Sequence, residues 1–180
     1  MTSPAGAHPS LPTERGAVLS IGSNLGDREA ILREAVAAIA AIDGVEVTAA
    51  SSIVETAAVK LHGVDVTAPS YLNAAVTLRT RLDTRELLNE LQRIELEYGR
   101  VRHERWGDRT LDVDIVTVDG EHIDEPGLTV PHPRAADRVF VLAPWLEIEP
   151  DATLVGLGPV SELLARLGEP YRRYSAEPLL

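Results

Sequence analysis

The 180-residue sequence contains no cysteine. That excludes a disulfide framework, a thiol nucleophile and cysteine-ligated zinc, and it fits a reducing, cytoplasmic location. No stretch approaches the roughly 18 uninterrupted apolar residues of a membrane helix, so no membrane association is expected. The N-terminal stretch, Met1 to Glu14, is polar, carries Pro4, Pro9 and Pro12, and has no apolar h-region of a secretory signal. Basic residues are outnumbered: 17 Lys plus Arg stand against 28 Asp plus Glu, a net charge of −11. Such a chain is a poor partner for duplex DNA or an anionic membrane, although a small anion responds to local charge. No Gly-x-x-x-x-Gly-Lys-Ser/Thr loop occurs, and Gly156-Leu157-Gly158 is not continued into a dinucleotide fingerprint.

What is present is enough for a core. Hydrophobic residues make up 44%, close to the average for a soluble globular chain. The expected organisation is a disordered or loosely attached tail over residues 1–15 and one domain over 16–180. Ala17-Val18-Leu19-Ser20-Ile21 reads as a short buried strand ending at Gly22, followed by turn chemistry in which Asn24 or Asp27 can cap a helix. Ile31, Leu32, Ala35, Val36, Ile39 and Ile42 then recur on one helical face, and Gly44 closes that helix. A second strand is expected over Val45 to Ala58, a polar loop after it, and a third strand from Tyr71 to Leu78. Asp83-Thr84-Arg85-Glu86 resembles a capping box for a helix that carries Leu87, Leu88, Leu91, Ile94 and Tyr98 and ends at Gly99. A fourth strand covers Leu111 to Val118. The order βαββαβ predicts an α+β protein with a ferredoxin-like core and an antiparallel sheet. A C-terminal hairpin and short helices near Pro133–Leu142 and Val160–Leu167 complete it. No heptad or apolar interface stripe is evident, so a monomer is expected.

Leu111-Asp112-Val113-Asp114-Ile115 carries the clearest chemistry. Alternation on a strand puts Asp112 and Asp114 on one face, with their roots roughly 6–7 Å apart. Two carboxylates at that spacing can converge on one or two hard cations such as Mg²⁺; taken alone, the pair is also the polar face of a half-exposed strand. Immediately upstream lie Arg100, Arg102, Arg105 and Arg109, with His103, against only Glu104 and Asp108. This run reads either as an anion pocket or as a solvated loop facing acidic helices. Acids and guanidinium forks together are the parts that hold and neutralise a polyphosphate. Gly22-Ser23-Asn24-Leu25-Gly26 joins strand to helix, where backbone amides can meet an anion, or where the turn is simply tight. Aromatic residues are only 4% of the chain, so Tyr71 (two before Asn73), Trp106 and the lone Phe140 are informative. Near a phosphate site they suit a flat heterocycle, though Tyr71 and Phe140 also read as core.

Seven segments match one known family in order. They are Leu19–Asp27, Tyr71–Ala75, Gln92–Glu95, Gly99–Arg102, Arg105–Gly107, Arg109–Ile115 and Leu128–His132. Across about residues 17–150 the sequence resembles the 6-hydroxymethyl-7,8-dihydropterin pyrophosphokinase family of folate biosynthesis. The resemblance implies transfer of pyrophosphate from ATP to the pterin hydroxymethyl group with release of AMP, and two Mg²⁺ ions on Asp112 and Asp114. It implies that Arg102, Arg109, His132 and Arg138 clamp the triphosphate, with Arg100 and Arg109 acting in catalysis. Gln92, Glu95, Ile115 and Thr129 would lie around the nucleotide. Thr56, Tyr71, Asn73, Trp106, Asp112 and Phe140 would take the pterin, the ring lying between Trp106 and Phe140, with Gly22 and Asn24 bordering the site. The segment Arg100–Arg109 is then expected to close over bound substrates. The implied partners are small molecules, not nucleic acid. Another reading is a ferredoxin-like module that binds a nucleotide or metabolite without chemistry, for which paired acids are superfluous. Deleting residues 1–14 is expected to leave activity nearly unchanged in a steady-state assay; a large loss of rate would overturn the tail assignment.

Overall fold

The computed structural model describes residues 13–60, 63–65, 69–98, 110–175 and 177–180. The first strand, β1 (Arg15–Ser23), is followed by α1 (Arg28–Ala40), β2 (Val45–Ala50), β3 (Val54–Thr56) and a small hairpin of β4 (Ala58–Lys60) and β5 (Gly63–Asp65). Next come β6 (Tyr71–Thr80), α2 (Thr84–Glu97), β7 (Asp112–Val118), and a hairpin of β8 (Ile123–Glu125) and β9 (Leu128–Val130). A 3₁₀ turn (Ala135–Asp137) leads into α3 (Val139–Ile148), then β10 (Thr153–Leu154), β11 (Gly158–Pro159), α4 (Val160–Leu167) and β12 (Arg172–Arg173). The expected tail boundary shifts: Arg15 already pairs with Thr80 at the start of β1.

The main sheet is antiparallel, in the order β12-β3-β6-β1-β7, with β2 also on β6. The single strand expected over Val45–Ala58 is therefore two strands laid along β6 and interrupted at Ser51–Ile53. The break is polar yet buried, so its groups need partners. Ser51 Oγ accepts from the Ala75 amide at 2.9 Å, and Glu147 on α3 accepts from the Ser52 amide at 2.9 Å and its hydroxyl at 2.6 Å. Nothing in the local sequence announces a carboxylate 95 residues away. The expected polar loop after Ala58 contains the β4–β5 hairpin.

Both helices expected in the first half form for reasons visible at their caps. Asp27 accepts from the Ala30 amide at 3.2 Å, and at α2 the Asp83 and Glu86 side chains satisfy each other's backbone amides at 2.7 and 3.0 Å. Alternation along the strands then divides the sheet into two faces. Ala17, Leu19 and Ile21 of β1 and Leu72, Ala74, Val76 and Leu78 of β6 pack with Leu32, Val36 and Ile39 of α1 and Leu87, Leu91 and Ile94 of α2. On the other face Val18, Ala75 and Val116 pack with Val141, Leu142 and Trp145 of α3 and Val160 and Leu163 of α4. The register of β1 on β7 slips at Val18/Leu19. The extra residue in β7 lets Ile115 and Val118 both enter the first core, while Asp112, Asp114 and Val116 share the second face.

α3 runs to Ile148, six residues beyond the expected helix end, because Val141, Leu142 and Trp145 bury a continuous stripe. Trp145 is 2% exposed, and its indole N–H donates to Glu149 at 2.6 Å. Trp145→Ala is expected to cost about 3–5 kcal/mol, read as a fall in the urea midpoint at unchanged slope. A loss below about 1 kcal/mol, less than an ordinary core truncation, would contradict the central place of α3.

Candidate active site

The second face of the sheet is only partly covered. Among the described residues, the apolar cluster under α3 and α4 does not include the start of β7, the end of β1 or the start of β6, where polar residues gather. Register aligns them in rows. Asp114 pairs with Ser20, which pairs with Ala75; Asp112 pairs with Gly22, which pairs with Asn73, which pairs with Val54; Tyr71 pairs with Thr56. Directly opposed residues of antiparallel strands share a face, so both aspartates, Asn73, Tyr71 and Thr56 point to the same side.

Around Asp114 the charges converge. Arg138 Nη1 lies 3.4 Å and His132 Nε2 3.8 Å from Asp114 Oδ2. Arg138 is the residue just before α3, and among the described residues no side chain caps that helix end. Placing a cation there opposes the helix dipole, an arrangement that favours an anion in front of it. The guanidinium also sits 5.4 Å from the centroid of the Phe140 ring, a cation–π contact that fixes its plane. Burial lowers the pKa of Arg138, with Asp114 opposing the shift; a guanidinium stays charged all the same.

His132 follows β9, and its amide donates to the Val116 carbonyl at 2.8 Å, which anchors it to β7. Burial pushes its pKa below the ordinary 6.5, Asp114 works against that, and Arg138 and Arg134 add to it. His132 is therefore neutral at neutral pH. Its Nδ1 accepts from the Arg134 amide at 3.1 Å, which assigns the proton to Nε2 and makes it a donor toward Asp114 and the space beside it. Sequence reasoning does not single out Arg134. Its signal is faint: two residues after His132 in a Pro-His-Pro-Arg turn.

Glu95 takes an unexpected position. It is 1% exposed, and its Oε1 accepts from the Val113 amide at 2.8 Å. This is the amide between the two aspartates on the free edge of β7. Ile115 is buried in the first core, Gln92 is half-buried on α2, and Thr129 is half-buried on β9. Of these four residues, expected around a nucleotide, Glu95 lies at the β7 edge and Ile115 in the first core rather than on the aspartate face. At the other end, Asn73 is 4% exposed and its Nδ2 donates to Thr56 Oγ1 at 3.1 Å. Asn24 is also buried. The expected positions Arg100, Arg102, Trp106 and Arg109, and with them the expected closure over substrates, lie outside the described residues. Among the described residues no three His, Cys, Asp or Glu side chains gather in a metal-binding group, and no helix is long and apolar enough to cross a membrane.

Comparison with known proteins is decisive at this point. Residues 18–150 match the family described as 7,8-dihydro-6-hydroxymethylpterin-pyrophosphokinase, HPPK. The chain belongs to that family. It is 48% identical over 132 residues to 2-amino-4-hydroxy-6-hydroxymethyldihydropteridine pyrophosphokinase of Bacillus subtilis, covering 73% of this chain and 77% of that one. The enzyme of the same name from Mycobacterium leprae is 43% identical over 170 residues, covering 87% and 84%. Among solved structures, wild-type HPPK-DHPS of Plasmodium falciparum superposes with a TM-score of 0.67 at 13% identity, over 86% of this chain and 42% of that one. That likeness speaks to the mixed α/β fold with its antiparallel sheet, and the chain spans less than half of that longer protein.

The register of β1 on β6 also explains a glycine. A Cβ at Gly22 would stand 2.7 Å from Asn73 Oδ1, too close for the amide to stay. Gly22→Ala is expected to displace Asn73, break its bond to Thr56 and cost about 1–3 kcal/mol. Urea denaturation together with the Asn73 side-chain amide resonances checks this; unchanged resonances would overturn it.

Proposed function

We propose that the chain transfers pyrophosphate from ATP to 6-hydroxymethyl-7,8-dihydropterin in folate biosynthesis, releasing AMP. The observation that carries the reading is the meeting of Asp114 with Arg138 and His132 at the start of α3, on the same sheet face as Asp112, Asn73 and Thr56. Polyphosphate chemistry needs the first group, and a flat, hydrogen-bonding heterocycle suits the second. Mere binding of a nucleotide would not call for two acids side by side.

The donor set fits Mg²⁺: two half-exposed carboxylates on one face, all oxygen. Asp112 and Asp114 would hold two such ions, which when bound supply charge neutralisation and Lewis acidity. The remaining work falls to the chain's own groups. Arg138 and the Nε2–H of His132 bind phosphate oxygens from the α3 side, and Arg100, Arg102 and Arg109 are assigned to the same triphosphate. Asn73 and Thr56 hold the polar edge of the pterin, Tyr71 borders it, and Phe140 with Trp106 sandwich its ring. Gln92, Glu95, Ile115 and Thr129 form the nucleotide side along β7. Alignment is then the main catalytic task. The hydroxymethyl oxygen forms a bond to the β-phosphorus as the bond to the α-phosphate oxygen breaks, in line, and AMP departs.

The ferredoxin-like label for the core belongs to this reading, supported by the strand order β2/β3-β6-β1-β7 around α1 and α2. So do a single domain over residues 16–180, a monomeric state and a cytoplasmic location, the last supported by the absence of cysteine.

Two measurements test the function. ATP labelled in the β- and γ-phosphates should deliver both labels to the pterin, with the α-phosphate leaving as AMP; ADP with only γ-label transferred would sink the assignment. Asp112→Ala and Asp114→Ala should fold and lose several kcal/mol of transition-state stabilisation, with Asp114→Ala retaining pterin binding by calorimetry. Activity within about tenfold of wild type, a loss of only about 1.4 kcal/mol, would remove the carboxylates from the chemistry.

A further inference from the structure

A compact polar cluster lies on the reverse of the sheet, directly behind Thr56, Tyr71 and Asn73. Arg28 is the first residue of α1, reached through the loop that follows Gly22. Its Nη1 donates to the Ser70 carbonyl at 2.7 Å and to Ser70 Oγ at 2.9 Å. Ser70 Oγ in turn donates to Glu55 Oε1 at 2.6 Å, and Arg28 Nη1 stands 3.7 Å from that same oxygen. The hydroxyl therefore accepts from the cation and donates to the anion, a relay in which each bond polarises the next. Both charged side chains are about three-quarters buried, at 25% and 21% exposure. Arg172 of β12 adds a weaker ion pair to Glu55 at 3.8 Å and is itself 78% exposed.

Each member of the cluster is next to a residue of the site, or to the loop that borders it. Glu55 immediately precedes Thr56 on β3, and because neighbours on a strand face opposite ways, its side chain leaves the site face free. Ser70 immediately precedes Tyr71, which pairs with Thr56. Arg28 closes the segment from Gly22 to Asp27. β3 is only three residues long and β6 begins at Tyr71, so neither strand end is held by length alone.

We infer that Arg28, Ser70 and Glu55 form a clamp that positions the heterocycle end of the site, making them positioning residues for the pterin rather than for ATP. The inference rests on the proposed pterin site. Side chains that touch a ligand act only if their own supports are fixed, and groups in one network couple measurably. The asymmetry is what distinguishes a clamp from general stabilisation. Asp112, Asp114, His132 and Arg138 hang on β7, β9 and α3, none of which bears a member of the cluster.

The test is steady-state AMP formation with wild type, Arg28→Met, Arg28→Lys and Ser70→Ala. In Arg28→Met the KM for hydroxymethyldihydropterin should rise about five- to twentyfold, while kcat and the KM for ATP stay within about twofold. Arg28→Lys should recover most of the loss, because a single nitrogen makes every contact to Ser70 and Glu55. An unchanged pterin KM, or an equal rise for ATP, would overturn the clamp. If Arg28→Met does not fold, Ser70→Ala, which removes one oxygen, carries the same comparison. The Asn73 side-chain amide resonances give a readout independent of activity. Should the wild type form no AMP, the pterin reading fails, and the clamp is judged on those resonances alone: shifted in Arg28→Met and restored in Arg28→Lys if it exists, unmoved if it does not.

Discussion

Two carboxylates held side by side on a sheet edge repel each other, and the architecture around β7 is arranged to tolerate that. At an effective dielectric constant near 20, like charges about 6–7 Å apart cost about 2.5 kcal/mol, and in water about 0.6 kcal/mol. Asp112 and Asp114 cannot turn away from each other, because alternation along β7 fixes both on one face. Their backbone is held from both sides. β1 supplies Ser20 and Gly22 as direct partners, and Glu95 takes the Val113 amide on the outer edge. Opposite charge then arrives from outside the sheet through Arg138, and the neutral His132 adds an N–H dipole. On the proposed function, Asp112 and Asp114 would hold a cation that completes the compensation, so the repulsion that burdens the folded chain would favour its binding.

The need to expose those acids explains why the two sheet faces differ. The face under α1 and α2 is mainly apolar, built from alternate residues of β1, β6 and β7, with the Arg28–Ser70–Glu55 cluster at one end. The other face is apolar only under α3 and α4. Beyond that apolar packing its side chains are small or polar: Ser20, Gly22 and Asn73 occupy positions where larger residues would fill the space. Gly22 is the limiting case, since even a methyl would meet Asn73 at 2.7 Å. Packing and site are therefore read off one strand in opposite registers: Leu19 and Ile21 look into the core, Ser20 and Gly22 into the site.

That division also decides what the sequence could disclose. Periodicity and caps are enough for α1, α2, α4, β1, β6 and β7, because each has its own apolar stripe or a cap within four residues. The Asp112–Asp114 pair is legible for the same reason, since alternation is local. The break at Ser51–Ile53 is not, because its buried amides are satisfied by Glu147 from a distant helix. The length of α3 is hidden by Pro144, which lies inside the helix and reads locally as a stop. Glu95 is assigned to a nucleotide by family resemblance alone. Its bond to Val113 joins α2 to β7, a relation that no spacing within either element records. Arg134 escapes notice because a charge in a turn reads as solvated, and its bond to His132 is made by a backbone N–H that no side-chain pattern records.

The global and local charges of the chain pull in different directions, and screening decides between them. With a net charge of −11, the body of the protein repels a free nucleotide polyphosphate at long range. Physiological salt limits that field to about 8 Å, so the anion meets mainly what lines the site. There Arg138, Arg134 and the start of α3 present positive potential, while Asp112 and Asp114 present negative potential within the same few ångströms. A bare polyphosphate finds the aspartates hostile, and a bare cation finds the arginine hostile. A cation already paired with phosphate oxygens satisfies both sets at once. On the proposed function, that mixed polarity selects the metal-complexed nucleotide over either component alone, and it does so without any increase in the protein's overall positive charge.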